Sequence, residues 1–350
     1  MSLSLYRYSS LHAKVRVMLA RSLTSADYEE LVVKRSVQDV AAYLKYNTHY
    51  QTILDEINET TIHRGQLEKV FKKVLINDYI KLFRFVQGNA KAFLKLAFLR
   101  YEIEDLKILL RVLDTEHNTQ LVHDSLIFLR KYSTIDIENV ASSKDIQQFI
   151  QNLKGSIYYD VLSPFITNTQ HLNLFSIEMS LDMYFFTRLW KQKDKLLKNE
   201  DHKAILQSFG SEIDILNILW IYRCKKYYNT PKEIIYSYTI PFTYRISKAQ
   251  LINMVEAKTP EEVLELVQTT KYNQIFLEGK EYFYEQNFTY YVYKLHKRLL
   301  MRQPFSIASL MAYLHLKEIE IRNIISIIEG IRYQLSPDQI KKYIVAGLEK

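Results

Sequence analysis

The pattern of apolar and polar positions along this chain is helical, and its clearest instance occurs three times. Asp105, Ile108, Leu109 and Val112 keep the i, i+3, i+4, i+7 spacing of one helix face, as do Ile215, Ile218, Leu219 and Tyr222, and again Ile321, Ile324, Ile325 and Ile328. Each stretch opens on one signature: glutamate, isoleucine, an acid, two variable positions, lysine or asparagine, isoleucine and an aliphatic residue. Its shared core is Glu102, Ile103 and Ile108, then Glu212, Ile213 and Ile218, then Glu318, Ile319 and Ile324. At about 100° per residue, Ile103, Ile213 and Ile319 fall opposite the first face, so each helix is expected to be apolar on two sides and to pack between neighbours. The polar stripe left over carries Glu104, Asp214 or Glu320, with Lys107, Asn217 or Asn323 one turn later. Ion pairing within a turn and compensation of the helix dipole account for it without catalysis.

A second marker recurs in step with the first. Ser36 to Leu44, Ser142 to Ile150 and Thr259 to Val267 each place a capping hydroxyl three residues before Asp39, Asp145 or Glu262 and then an apolar pair, a capping-box arrangement. Another helix start is expected at Ser25. The markers stand 66, 70 and 59 residues before the three signatures, which themselves start 110 and then 106 residues apart. Two motifs recurring in the same order imply triplication of a unit the size of a small domain. The expected fold is all-α, with three similar helical domains at residues 1–115, 116–230 and 231–350. Boundaries are expected in the polar stretches Asp114 to Gln120 and Asn229 to Lys232, with Pro231 as a break and Pro304 opening the last long helix.

Composition narrows the picture. The chain has 350 residues, 48% of them hydrophobic and only 7 glycines and 6 prolines, a scarcity of turn formers that favours long helices over sheets. The single cysteine, Cys224, excludes an internal disulfide or a thiolate cluster and suits a reducing, cytoplasmic compartment. The start lacks the apolar core of a signal peptide, and the longest apolar run, Ile213 to Tyr222, is broken by Asp214 and Asn217, so no membrane span is expected. A net charge of +8 admits acidic proteins, nucleic acid or an anionic membrane face as partners.

Catalytic patterns are missing. The 9 histidines form no HExxH and no repeated ExxH, and neither G-x-x-x-x-G-K-S/T, G-x-G-x-x-G nor G-x-S-x-G occurs, so no metal or cofactor is expected. His315 and Glu318, at i and i+3, read as a surface contact, and Cys224 sits in an apolar helix where burial blunts a thiol. The basic and aromatic runs Arg223 to Tyr228 and Lys294 to Arg302 fit a solvated helix face, a protein or membrane-surface contact, or nucleic acid.

Four stretches go further: Tyr8-x-x-x-x-Ala13-x-Val15-Arg16-x-Met18, Leu44-x-x-x-Thr48-x-Tyr50, EIDILNILWIYRCKKYY from Glu212, and LKEIEIRNIISIIEGIRYQL from Leu316. Through them the chain resembles, over essentially its whole length, the C subunits of the bacterial and archaeal V-type (A-type) rotary ATPases, relatives of the eukaryotic V-ATPase d subunits. The resemblance implies a funnel of three helical domains about a pseudo-threefold axis. It also implies a non-catalytic role in the central stalk, joining the rotating shaft subunits to the membrane proteolipid ring and passing torque to ion transport. The protein would then lie on the cytoplasmic face as a peripheral membrane component, with no nucleic-acid partner. Asp105, Lys107 and Arg111 depart from Ile215, Asn217 and Ile221 and from Ile321, Asn323 and Ile327. The competing reading is a helical-repeat adaptor for nucleic acid or signalling proteins.

Overall fold

The computed structural model describes residues 3–55, 57–58, 61–115, 126, 133–167, 174–277 and 281–345, and among them no strand occurs. The first half holds α1 (Leu3–Leu19), α2 (Ser25–Val32), α3 (Val37–Asn47), α4 (Gln51–Leu54), α5 (Arg64–Phe83), α6 (Gly88–Ala97), α7 (Leu99–Asp114), α8 (Ile137–Ala141), α9 (Ile146–Asn152), α10 (Tyr159–Leu162) and α11 (Pro164–Thr167). The second half holds α12 (Leu174–Leu196), α13 (Asn199–Tyr227), α14 (Lys232–Tyr238), α15 (Lys248–Glu256), α16 (Pro260–Gln268), α17 (Tyr284–Arg302), α18 (Ala308–Arg332) and α19 (Pro337–Lys341). The three signatures lie on α7, α13 and α18.

Local chemistry explains most helix ends, with small departures from the sequence reading. Ser36 and Thr259 cap α3 and α16 as expected, their hydroxyls accepting from the amides of Asp39 and Glu262. Ser142 does not cap α9. Its amide closes α8 by donating to Glu138 O, and the cap passes to Asp145, whose carboxylate accepts from Gln148 N at 2.7 Å. Similarly, Thr24 rather than Ser25 caps α2, through a reciprocal box with Asp27. Pro231 stands at the N-cap of α14, whereas Pro304 lies outside α18, which starts four residues later at Ala308. The boundary expected at Asp114 to Gln120 falls largely outside the described residues.

Contact density divides the chain into two compact units, residues 1–87, 199–209 and 272–350, and residues 88–198 and 210–271. In the first, α18 is the axis, packed against α17, α5, α1, α3, α2 and α19. Gly330 lets α19 fold back on α18, because a Cβ there would stand 2.5 Å from Ile340 Cγ1. In the second, α12 packs on α6, α7, α10 and α14, and α7 also on α9. Gly210 gives way to the Tyr244 side chain, whose Cβ and Cγ would lie 2.7 Å from an added Cβ. Helix α13 is long and apolar enough to cross a membrane by length and composition alone, but 78% of its most apolar window is buried inside the protein. Its hydrophobicity serves the core.

Candidate functional site

The signature helices carry buried acids that hold other segments of backbone in place. On α18, Glu320 accepts from Leu23 N at 2.9 Å, Tyr50 OH at 2.7 Å and Lys317 Nζ at 2.5 Å. On α13, Asp214 accepts from the amides of Tyr244, Arg245 and Ile246 at 2.9, 2.6 and 3.3 Å. On α7, Glu102 accepts from Tyr158 OH at 2.8 Å and from the Ser133 hydroxyl. Leu23 and Ile246 stand immediately before the N-caps Thr24 of α2 and Ser247 of α15, and Ser133 stands three residues before Asp136, the N-cap of α8. One turn on, Asn323 pairs both ways with the backbone of Val345, at 2.9 and 2.9 Å, and Asn217 with that of Ile240, at 3.0 and 2.8 Å. Asp105 is fully buried at the corresponding place.

These contacts relate the three helices in a different register from the sequence signature. The sequence signature aligns Glu102 with Glu212 and Glu318, whereas bonding aligns it with Asp214 and Glu320, two residues later, and aligns Asp105 with Asn217 and Asn323. Burial agrees. Ile108 is half-buried, as are Trp220 and Ser326 in the bonded register, while Ile218 and Ile324 are fully buried. Isoleucines on two helix faces tolerate a slip of two residues, but a polar side chain with a fixed partner does not. The apparent departure at Asp105 thereby disappears. Of the remaining signature residues, Ile103, Ile213 and Ile319 are core, Glu212 pairs with Arg100 at 3.0 Å, and Glu318 with His315 at 3.3 Å.

Glu102 and Asp214 each bind a cap segment that follows their helix in sequence, about 30 residues on. Glu320 on α18 departs from that order. The place is taken by α2 to α4 from the N-terminus, 297 residues away at Leu23, and α19 packs on α2 as α14 packs on α15.

Other buried titratable groups are likewise engaged. Asp201 accepts from Tyr8 OH at 2.5 Å and Ile307 N at 2.8 Å, and Asp78 accepts from Tyr313 OH at 2.6 Å. Burial, then the neighbouring carboxylates, push the Tyr8, Tyr50, Tyr158 and Tyr313 phenols far up, so they remain hydrogen-bond donors. His49 is pushed down to about 4 by burial and by the Lys317 charge, and its Nε2 accepts from Lys317 Nζ at 3.1 Å. Burial raises the Cys224 thiol. Among the described residues no group of three or more His, Cys, Asp or Glu side chains could hold a metal.

The basic and aromatic runs have distinct roles. Lys225 Nζ donates to Val255 O and Ala257 O at 2.7 and 2.5 Å, closing the C-terminal end of α15, so it is a helix cap rather than a solvated charge. On α17, Lys294 and Lys297 lie over the rings of Tyr290 and Tyr293 at 4.3 and 4.6 Å.

Sequence reasoning missed a groove along α12. Residues from Ser176 to Lys191 at three- and four-residue spacing form its floor, and Val161, Phe165, Ile234 and Tyr238 from α10, α11 and α14 form its walls, around a cavity of about 870 Å³. Met179 and Met183 occupy the middle, and Arg188 and Lys191 one end. The acids of α12 point elsewhere: Glu178 takes a two-pronged pair from Arg111 at 2.7 and 2.8 Å, and Asp182 takes Lys107 at 2.5 Å. The periodicity of α12 was readable, but an unfilled stripe looks like a core stripe until its neighbours are placed.

A family model described as ATP synthase (C/AC39) subunit matches residues 11–343. The C subunit of the A-type ATP synthase of Methanocaldococcus jannaschii is 23% identical over 355 residues, covering 99% of this chain and 88% of the relative. That of Archaeoglobus fulgidus is 24% identical over 336 residues, covering 95% and 94%, and that of Methanosphaera stadtmanae is 22% identical over 329 residues, covering 91% and 82%. With nearly its whole length matched, the chain belongs to the ATP synthase (C/AC39) subunit family, the C subunits of V- and A-type rotary ATPases.

Proposed function

We propose that this chain is a non-catalytic central-stalk subunit, a socket of three helical repeats (1–115, 116–230 and 231–350) in a pseudo-threefold funnel. It receives the rotating shaft subunits and seats them on the membrane proteolipid ring at the cytoplasmic face. The observation that carries the reading is the threefold recurrence of a buried acid and an Asn or Asp one turn later, at Glu102 and Asp105, Asp214 and Asn217, and Glu320 and Asn323. A coupling element must resist sliding under torque. Apolar contacts are non-directional, whereas a carboxylate held by backbone amides and an asparagine paired with both N–H and C=O fix one register. The buried acids supply stiffness and leave no unengaged carboxylate for chemistry among those described above.

The test is removal of the chain from the assembled ATPase, followed by its return. ATP hydrolysis by the catalytic head is expected to persist while ion translocation falls to background, and re-addition is expected to restore translocation. Ion pumping that continues without the chain would sink the proposal.

A further inference from the structure

The groove along α12 takes no part in the anchors described above, and its chemistry specifies an occupant. We propose that it receives an amphipathic helix with an acidic end, donated by a neighbouring subunit; this rests on the reading that the chain works inside a rotary ATPase. The floor from Ser176 to Lys191 spans four helical turns, about 22 Å at 1.5 Å per residue, which matches a helix lying in a groove rather than a short loop. Met179 and Met183 line its middle, and unbranched thioether side chains adapt to an incoming apolar stripe. Hydroxyls of Ser180, Thr187 and Ser237 flank those apolar groups, fitting the polar borders of a helix better than a continuous hydrocarbon chain.

Charge selects the acidic end. No carboxylate lines the groove among the described residues, since Glu178 and Asp182 are turned toward Arg111 and Lys107. Arg188 and Lys191 therefore face the groove unopposed by an acid lining it. The Arg188 guanidinium is held against Tyr184, bonded to its hydroxyl and 5.6 Å from its ring centroid, which orients the fork before a partner arrives.

The experiment places a photo-crosslinking benzoylphenylalanine at Met183 in the full chain, within cells that assemble the ATPase. Mass spectrometry is expected to find an adduct with a helical segment of another ATPase subunit that bears Asp or Glu within about two turns of the linked residue. Arg188→Glu with Lys191→Glu is expected to reduce that adduct at least about tenfold. If the double variant does not fold, as judged by circular dichroism, Lys191→Glu alone, at an exposed position on the groove rim, is expected to reduce it about threefold. An adduct with lipid, with this chain itself or with a basic segment overturns the proposal, as does an adduct indifferent to charge reversal. Co-purification is scored separately. A chain that assembles without an adduct overturns the groove alone, and a chain that does not assemble overturns the ATPase reading and the groove with it.

Discussion

Asp214 on α13 and Glu320 on α18 each lie three residues before an asparagine that pairs with backbone, yet they hold their surroundings differently. Asp214 is shorter and spends its oxygens on three backbone amides about 30 residues away. Glu320 reaches one amide, then a tyrosine hydroxyl and a lysine, with partners 297 and 270 residues away at Leu23 and Tyr50. Closing the longer loop costs on the order of 2 kcal/mol more in chain entropy by the logarithmic law. The Glu320 site also holds a buried ion pair within its own helix, to Lys317 at 2.5 Å. Glu102, by comparison, is satisfied by two side-chain hydroxyls, those of Ser133 and Tyr158, 31 and 56 residues away.

The comparison is broken most directly at Glu320. Glu320→Ala strands the buried Lys317 ammonium and is expected to cost about 3 to 5 kcal/mol, seen as loss of hydrogen-exchange protection in α18. Adding Lys317→Met is expected to recover much of that loss, because no unpaired charge remains; no recovery would show that the stranded ammonium is not what makes the loss of Glu320 costly. Asp214→Ala leaves three amides without their acceptor and is expected to cost about 2 to 4 kcal/mol, read in α13. A cost above that of Glu320→Ala would reverse the ranking.

Asn217→Leu and Asn323→Leu probe what the two sites share. Each removes one donor and one acceptor from a buried pair, so each is expected to cost about 2 kcal/mol, and the test is their equality. Tyr50→Phe and Tyr158→Phe each remove one hydroxyl from a buried carboxylate and are expected to cost about 1 to 2 kcal/mol.

A pH slope tests the Glu320 site separately. His49 titrates near 6.5 when unfolded and at about 4 when folded, so between those values the unfolded chain binds more protons. Stability is therefore complete above about pH 6.5 and declines as pH falls toward about 4. His49→Gln is expected to flatten the slope across that window in acid titrations followed by denaturant melting. An unchanged slope would assign the acid sensitivity to other groups.

Sequence alone determined the helical class, the existence of three related helices and the isoleucine faces that bury them. Ile103, Ile213 and Ile319 are core because period and polarity, both local properties, dictate that a two-faced helix lies between neighbours. Caps were legible where a hydroxyl stood alone, as at Ser36 and Thr259. They were not where two candidates competed, as at Ser142 and Asp145, because the preceding helix claimed the serine. Only tertiary structure decided the register of the repeat, since apolar matches survive a two-residue slip while a carboxylate such as Glu102 is defined by the amide or hydroxyl it meets. Only tertiary structure showed that Glu320 on α18 anchors the segment leading into the α2 cap, 297 residues away at Leu23, and that one face of α12 lines an open groove. A spacing of three and four names a buried face without naming what buries it, and that choice belongs to residues hundreds of positions away.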